Sequence, residues 1–337
     1  MIYYRRCVVL SNTPLKEAFK YKDLFVLQPI TRKNVPTSPY AKHHPSFLDF
    51  YVESDKPLSE NELLVCDINR THEICTILTA LSNFRFFTYD SSFMSWGIMA
   101  PSILVEKMTD EERIEMDENN KTSIWMPFAS YLYKEFVNDR IIYSIDLLDG
   151  NTEMILDDNP FYFTYNPIPE EKERVTFQSK ISEAIDGYYA LDDVTRQIVF
   201  SAMKLISDGI GLGIHHQSLG FVSYISSIET MVGLENRNAK VEYCKSCGQP
   251  IFSVRRKFLT FLAKYVSRTE SSRKKFGDLY ALRSRIAHTG KLFLSDVEFS
   301  FLNKDIDQNE WIKYLEVQQL ARISIFRWLL LNNRYSQ

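Results

Sequence analysis

The chain contains 337 residues with a formal net charge of -3 at pH 7; 45% of the residues are hydrophobic and 25% are charged. This length allows two domains with separate cores, and the composition is typical of soluble globular proteins. No apolar run approaches the ~20 residues of a membrane span, and the start, MIYYRRCVVL, lacks the pattern of a signal peptide. We therefore expect a cytoplasmic protein that does not enter a membrane.

Residues 1–165 have the pattern of a β-rich domain. Their apolar segments are short, rich in Tyr, Phe, Val and Ile, and separated by proline and asparagine, as strands joined by turns require. The segments are IYYRRCVVL, DLFVLQPI, FLDFYV, RFFTY, SIWMPF, RIIYSIDLL and PFYFTY. One helix is expected among them, from about Thr71 to Leu81, because its apolar residues lie along one stripe.

A helical domain is expected over residues 173–337, after a boundary rich in proline and charge at 166–172, NPIPEEK. Apolar residues recur there at helical spacing in five segments: about Asp192–Ser207, Phe221–Val232, Val254–Tyr265, from Phe276 onward, and Trp311–Leu330. The predicted fold is therefore α+β, with an N-terminal β-rich domain and a C-terminal all-α bundle. The segment GIGLG, Gly209–Gly213, lacks the Lys-Ser/Thr ending of a P-loop and is expected to be a flexible loop between helices.

The segment Val254–Lys291 is strongly basic. It contains eleven Lys and Arg but only two acids, Glu270 and Asp278, so its charge is +9 and the rest of the chain carries -12. Such asymmetry indicates a polyanionic partner, most commonly nucleic acid, although a solvated basic face is the alternative. The candidate RNA-binding residues are Arg255, Arg256, Lys257, Lys274, Lys275 and Lys291.

The motif LYALRSRIAHTGK, Leu279–Lys291, places Arg283, Arg285 and His288 at the end of a predicted helix. Arginine can hold a phosphate while an imidazole that titrates near neutrality moves a proton, so this group suits phosphodiester chemistry. A purely structural explanation competes with this one. Basic residues in a last turn interact favourably with the helix dipole, and Gly290 would then be an ordinary C-cap.

Three segments, ISSIETMVG, YCKSCGQPIFSVRRKFLTFL and LYALRSRIAHTG, resemble a HEPN domain of the ApeA-like type. The resemblance covers roughly the last 150 residues. The family motif is an arginine, four to six residues, and a histidine. Arg283 and His288 match it with four residues between them, and Ser284 supplies the polar residue that usually follows the arginine.

This resemblance implies that Arg283 and His288 are the catalytic residues of a metal-independent endoribonuclease that requires no cofactor. It also implies a homodimer in which two motifs line one cleft, and a toxin-like effector of prokaryotic anti-phage defence that acts by cleaving RNA. The architecture suggests that the N-terminal domain senses a trigger, phage-derived or a small molecule, or restrains the nuclease.

Glu229 shares a helical stripe with Ile225 and Val232, so its carboxylate is expected to be partly buried. A buried carboxylate needs a partner, and Arg283 or Arg285 would serve, with a solvated position at the edge of the stripe as the alternative. An arginine held in this way is also prepared to bind phosphate.

Arg283 and His288 are five residues apart, or about 140° around a helix, so they do not share a face. Either the helix ends or bends before His288, or the two groups come from two chains, as the resemblance implies. Arg285 lies three residues before His288 and is expected to be a supporting phosphate ligand. Ser284 and Glu229 are the other supporting residues.

Cys244 and Cys247 form a C-x-x-C pair, which is half of a structural zinc site. The remaining ligands would come from a second copy of the chain or from His215 and His216. Cys66, His72 and Cys75 are candidates for a separate site. Unmetallated thiols are the alternative, and five widely spaced cysteines do not make a disulfide framework.

In the implied reaction, His288 takes a proton from a ribose 2′-hydroxyl or gives one to the leaving 5′-oxygen, while Arg283 neutralises charge on the phosphate. The main alternative is a non-catalytic HEPN module that binds RNA or a protein partner through the same basic face. A third possibility is a zinc-dependent protein that binds DNA.

Overall fold

The computed structural model describes residues 1–29, 44–88, 109–111, 174–213, 215–239, 254–297 and 304–333. The chain forms two compact units. The first contains the described residues within Met1–Cys75, Phe84–Ile155 and Lys172–Thr176; the second contains those within Thr76–Asn83 and Phe177–Gln337. The predicted boundary at 166–172 lies outside the described residues and stays a prediction.

An antiparallel sheet of five strands characterises the first unit. Its strands are β1 Ile2–Ser11, β2 Phe19–Tyr21, β3 Phe25–Pro29, β4 His44–Glu53 and β5 Phe86–Phe87, in the order β2-β3-β4-β1-β5. Four predicted strand segments are confirmed as β1, β3, β4 and β5, whereas β2 is additional. The segments SIWMPF, RIIYSIDLL and PFYFTY lie outside the described residues.

Helix α1, Glu60–Leu81, begins eleven residues before its predicted start. Ser59 and Glu62 form a capping box: the Ser59 backbone N–H donates to Glu62 Oε2 at 2.8 Å, and the Glu62 N–H donates to Ser59 Oγ at 3.3 Å. Hydrogen bonds from Ser59, assisted by Lys56, lower the pKa of Glu62 to about 2. Apolar spacing alone does not reveal this start, because Leu64 and Ile68 of α1 are exposed.

Two adjacent arginines of β1 point to opposite sides of the sheet, as the alternation of a strand requires. Arg5 Nε donates to Asp67 Oδ1 of α1 at 2.8 Å. Arg6 forms a buried pair with Asp49 of β4 through Nε and Nη2, each 2.6 Å from a carboxylate oxygen. Gln28 Nε2 donates to the same carboxylate at 2.6 Å, so the buried charge is fully paired.

The second unit is helical. Its described helices are α2 Ile181–Tyr189, α3 Asp193–Gly213, α4 Gln217–Glu235, α5 Val254–Tyr265, α6 Glu270–Thr289 and α7 Lys304–Asn333, with a 3₁₀ turn at Leu294–Asp296. The five predicted helices are confirmed as α3 to α7, and α2 is additional. The protein is therefore a mixed chain with an N-terminal antiparallel sheet and a C-terminal helical region. In the described part, no helix is both long and apolar enough to cross a membrane.

Helix α4 is central to this unit, because it packs against α3, α5, α6 and α7. The contacts are made by large buried side chains, including Phe221, Tyr224, Phe258 and Phe326. Ser223 and Ser227 of α4 donate to backbone carbonyls of α3 at 2.7 Å, which satisfies their hydroxyl groups inside the core. The position of Glu229, two residues later on α4, is thereby fixed.

The GIGLG segment is not a flexible loop, and this expectation is wrong. Gly209–Gly213 forms the last turn of α3, where the absent side chains let α4 and α7 approach. A Cβ on Gly209 would lie 2.6 Å from Tyr224 Cε1, and one on Gly213 would lie 1.8 Å from Tyr314 Oη. Tyr314 Oη also donates to the Gly209 carbonyl at 3.0 Å, so the glycines serve packing.

Replacing Gly213 with Ala should destabilise the helical unit by about 1–3 kcal/mol, because Tyr314 is buried and cannot yield without losing its hydrogen bonds. Gly233→Ala is the matched control on α4. It is exposed, with nothing described within 4 Å of its Cβ position, and should stabilise by about 0.5–1 kcal/mol. Urea unfolding of both variants measures the difference, and a shift of the same sign in both would contradict the packing explanation.

Candidate functional site

Helices α5 and α6 are joined by residues 266–269 and pack against each other, and this helical hairpin carries the basic segment. The rings of Phe258 on α5 and Tyr280 on α6 pack with their centroids 4.8 Å apart. At the connection, Thr269 caps α6 by accepting a hydrogen bond from the Ser272 N–H at 3.2 Å, and Arg327 of α7 donates to the last carbonyls of α5. Both helices of the hairpin are thus anchored at this end.

Glu229 binds Arg283, as its position on the helical stripe predicts. Arg283 Nη2 donates to Glu229 Oε2 at 2.9 Å, and the Tyr280 hydroxyl donates to Glu229 Oε1 at 3.0 Å. The side chains of Glu229 and Arg283 are each 21% exposed, so the pair is largely but not fully withdrawn from water. Both carboxylate oxygens are occupied, which fixes the orientation of the arginine.

The sequence does not predict the role of Tyr280, because its hydrogen-bond partner Glu229 is 51 residues away. Burial, and next the negative charge of Glu229, raise the pKa of Tyr280 above its usual value. The hydroxyl therefore keeps its proton at neutral pH and remains a donor to Glu229. Tyr280 orients the carboxylate that orients Arg283.

His288 lies on another side of α6 from Arg283. The expectation that the helix could end before the histidine is wrong: α6 continues to Thr289 and stops at Gly290, whose φ of 66° is the left-handed conformation of a C-cap. His288 and Arg285 are exposed and Ser284 is half-buried. One copy of the chain therefore does not direct Arg283 and His288 at the same point.

Most cations of the hairpin make no ion pair with a residue that the structure describes. Lys264 pairs with Glu235, Lys275 with Glu316 and Arg283 with Glu229. The cations that make no ion pair with a described residue are Arg255, Lys257, Arg268, Arg273, Lys274, Arg285 and Lys291. Of the predicted RNA-binding residues, Arg255, Arg256, Lys274 and Lys291 are exposed, Lys257 is half-buried, and Lys275 is engaged by α7.

Three of these cations occupy an unfavourable position. Arg255, Arg256 and Lys257 lie in the first turn of α5, which contains no acidic residue. The positive end of the helix dipole disfavours each cation there by about 0.3–1 kcal/mol. The dipole of α5 therefore does not account for this cluster.

The segment after Gly290 is hydrogen-bonded to the start of α4 and to α7. Asp296 accepts the N–H groups of Gln217 and Ser218 at 2.7 Å and so caps α4, while Glu310 of α7 accepts the N–H groups of Leu294 and Ser295 at 2.9 and 3.1 Å. These bonds restrain the chain directly after His288. No local sequence signal predicts them, because Asp296 is 78 residues from Ser218.

The zinc predictions have different outcomes. Cys244 and Cys247 lie outside the described residues, so this site stays a prediction, and its candidate ligands His215 and His216 are exposed beside the start of α4. Cys66 and Cys75 lie on α1 about 180° apart, so they cannot converge on one ion. Among the described residues, no three His, Cys, Asp or Glu side chains form a metal-binding group.

The Glu229–Arg283 interaction should appear as a coupling energy of about 1–2 kcal/mol in a double-mutant cycle. The cycle compares Glu229→Ala, Arg283→Ala and the double variant by denaturant unfolding. Arg285→Ala replaces Arg283→Ala in the control cycle, where we expect less than about 0.5 kcal/mol because Arg285 is exposed and points about 160° away from Arg283 on α6. Equal coupling in both cycles would show that only general charge balance is being measured.

Comparison of the chain with protein-family models, curated proteins and solved structures gives no match. Its function must be inferred from the residues of the site.

Proposed function

We propose that the C-terminal unit is a HEPN-type helical domain that acts as a metal-independent endoribonuclease when two copies of the chain associate. The basic α5–α6 hairpin would hold the RNA, and the Arg283–His288 motif would cleave it. The cellular role is that of a toxin-like effector in anti-phage defence, acting in the cytoplasm on host or phage RNA.

The observation that carries this proposal is the arrangement of the motif on α6. Arg283 is oriented by Glu229 and Tyr280 but keeps part of its surface in water, and exposed His288 follows five residues later. These are the two groups that phosphodiester cleavage requires, one for charge and one for proton transfer. Since they face in different directions, a second copy has to complete the site.

In the reaction, His288 of one copy removes the proton from a ribose 2′-hydroxyl, and the 2′-oxygen forms a bond to the adjacent phosphorus. The bond from phosphorus to the 5′-oxygen breaks, and that oxygen leaves with a proton supplied by solvent or by a second imidazole. Arg283 of the other copy neutralises the charge that grows on the non-bridging oxygens. The products are a 2′,3′-cyclic phosphate and a 5′-hydroxyl, and DNA is resistant because it lacks the nucleophile.

The N-terminal unit would control this activity. The sheet and α1 up to Cys75 form a separate compact unit, which suits a module that senses a trigger or restrains the nuclease. A phage-derived component and a small molecule both remain candidates for the trigger.

Incubation with total RNA tests the nuclease directly. The unmodified chain should produce 2′,3′-cyclic phosphate ends in the presence of a chelator, and His288→Ala should reduce the rate by about 10²–10⁴-fold, because a proton-transfer group is lost. Thr289→Ala is the matched control, since it alters the neighbouring exposed residue at the same helix end. Sequencing of the RNA ends and a rate assay provide the measurement.

The same experiment separates the alternatives. A non-catalytic module would bind RNA with a steep salt dependence and produce no cleavage in either form of the protein. A zinc-dependent DNA-binding protein would contain metal and prefer duplex DNA. RNA that stays intact at all protein concentrations and with candidate triggers present would remove the nuclease proposal.

Mixing two inactive variants tests whether the site is shared. After Arg283→Ala and His288→Ala chains are unfolded together and refolded, half of the dimers should be mixed, and each should contain one intact site. The mixture should recover about a quarter of the original activity, as the two-fold symmetry of a dimer requires. No recovery would mean that both residues act within one chain, and separately refolded variants serve as the control.

A further inference from the structure

Arg255 of α5 lies directly against the backbone of α6 at Gly277. A Cβ placed on Gly277 would lie 2.8 Å from Arg255 Nη2 and 3.8 Å from its Cζ. Apart from α6 itself, no other heavy atom of the described chain lies within 4 Å of that position. The guanidinium thus occupies the space that any side chain at residue 277 would fill.

The stability of α6 does not explain why residue 277, inside the helix, is a glycine. Glycine is less favourable in a helix interior than every residue except proline. Its φ is not positive, and no turn or cap requires it there. Because residue 277 is a glycine, the Arg255 guanidinium can lie against the backbone of α6, and we call this space the seat of Arg255.

The Cβ direction of Gly277, where the Arg255 guanidinium lies, points to the same side of α6 as His288. The two positions are eleven residues apart, which is three turns and about 20° on an α-helix. Positions 277 and 288 therefore lie on one side of α6, about 16 Å apart along the helix axis. Arg283 points about 140° away from His288, toward Glu229.

Arg255 is also available to a ligand. Its side chain is exposed and makes no hydrogen bond or ion pair with any described residue. Arg285 and Lys291, on either side of His288 in the sequence, are exposed and equally unpaired. Exposed cations without a described ion pair thus lie near both ends of this stretch of α6, with Arg255 at Gly277 and with Arg285 and Lys291 near His288. Two such separated positive sites suit the spaced phosphates of a nucleic-acid strand.

We propose that Arg255, seated on Gly277, is a second phosphate-binding residue that holds the RNA strand about 16 Å from the bond cleaved by His288. This inference rests on the proposed function and adds a substrate class, single-stranded RNA several nucleotides long. At about 3.4 Å per nucleotide in a stacked strand, reaching both residues takes about five nucleotides. Shorter RNA contacts the motif or Arg255, but not both.

The test is a length series of single-stranded 2′-O-methyl RNA, from about two to ten nucleotides, because the blocked 2′-oxygen separates binding from cleavage. Fluorescence anisotropy with the full-length protein should show a rise in affinity between about four and six nucleotides. Arg255→Gln should abolish that rise, weakening the longer RNAs about tenfold, and should lower the slope of log affinity against log salt by about one.

Two further variants sharpen the result. Arg268→Gln removes the same charge from an exposed, unpaired arginine in the connection between α5 and α6, and it should keep the length dependence. Gly277→Ala keeps Arg255 but fills its seat. It should lose the length dependence while the thermal midpoint stays unchanged or rises, since alanine favours the helix.

Equal weakening by Arg255→Gln and Arg268→Gln at every length would overturn the inference, as would Gly277→Ala with the original length dependence. Neither result touches the proposed nuclease, which is judged by the loss of RNA cleavage in His288→Ala. A protein that binds RNA of no length overturns both.

Discussion

The contact between Glu229 and Arg283 joins the Arg283–His288 motif to the core. It links the central helix α4 to α6 across 54 residues of sequence, with Tyr280 occupying the second carboxylate oxygen. Withdrawing two charges from water is costly, and the cost is offset only when the partners are well aligned and fully hydrogen-bonded. Tyr280 helps to meet this requirement on the carboxylate side. A long arginine side chain that would otherwise sample many rotamers is held in one direction, which is the condition for binding a phosphate with little entropic loss.

The regular period of α6 sets the second constraint. Since the helix continues without a break to its cap at Gly290, its residues point in directions fixed by their spacing. Arg283 faces α4, while His288 and the Cβ direction of Gly277 share another side. The two residues of the motif thereby face different sides of one helix, and in the proposed nuclease the association of two chains would bring them together.

The elements that local patterns determine could be predicted from the sequence. Helix α5 has the ends that its apolar residues indicate, and Glu229 is partly buried against an arginine because helical spacing places it beside Ile225 and Val232. The prediction of a flexible loop at GIGLG is wrong because glycine is favoured both in loops and where helices pack closely. Only the position of the buried Tyr314 shows that close packing applies here. The capping box at Ser59 can be read in the sequence, but no apolar helical stripe follows it, so the apolar pattern does not predict the start of α1. Tyr280 and Asp296 act on groups more than 50 residues away, and no local pattern contains that information.

Helix α5 is stable despite cations in its first turn that oppose the helix dipole. Three cations in its first turn oppose the helix dipole and together cost about 1–3 kcal/mol. The other side of the helix buries Phe258, Phe261, Leu262 and Tyr265. Each apolar side chain of this size contributes about 1.5–3 kcal/mol when buried, so the four exceed the cost of the cations several times over. Packing thus stabilises the helix independently of its charges, and under the proposed function the exposed first turn would bind the anionic RNA. The same division holds for α6, where the buried Phe276, Leu279 and Ile286 fix the helix and the exposed last turn carries the proposed catalytic histidine.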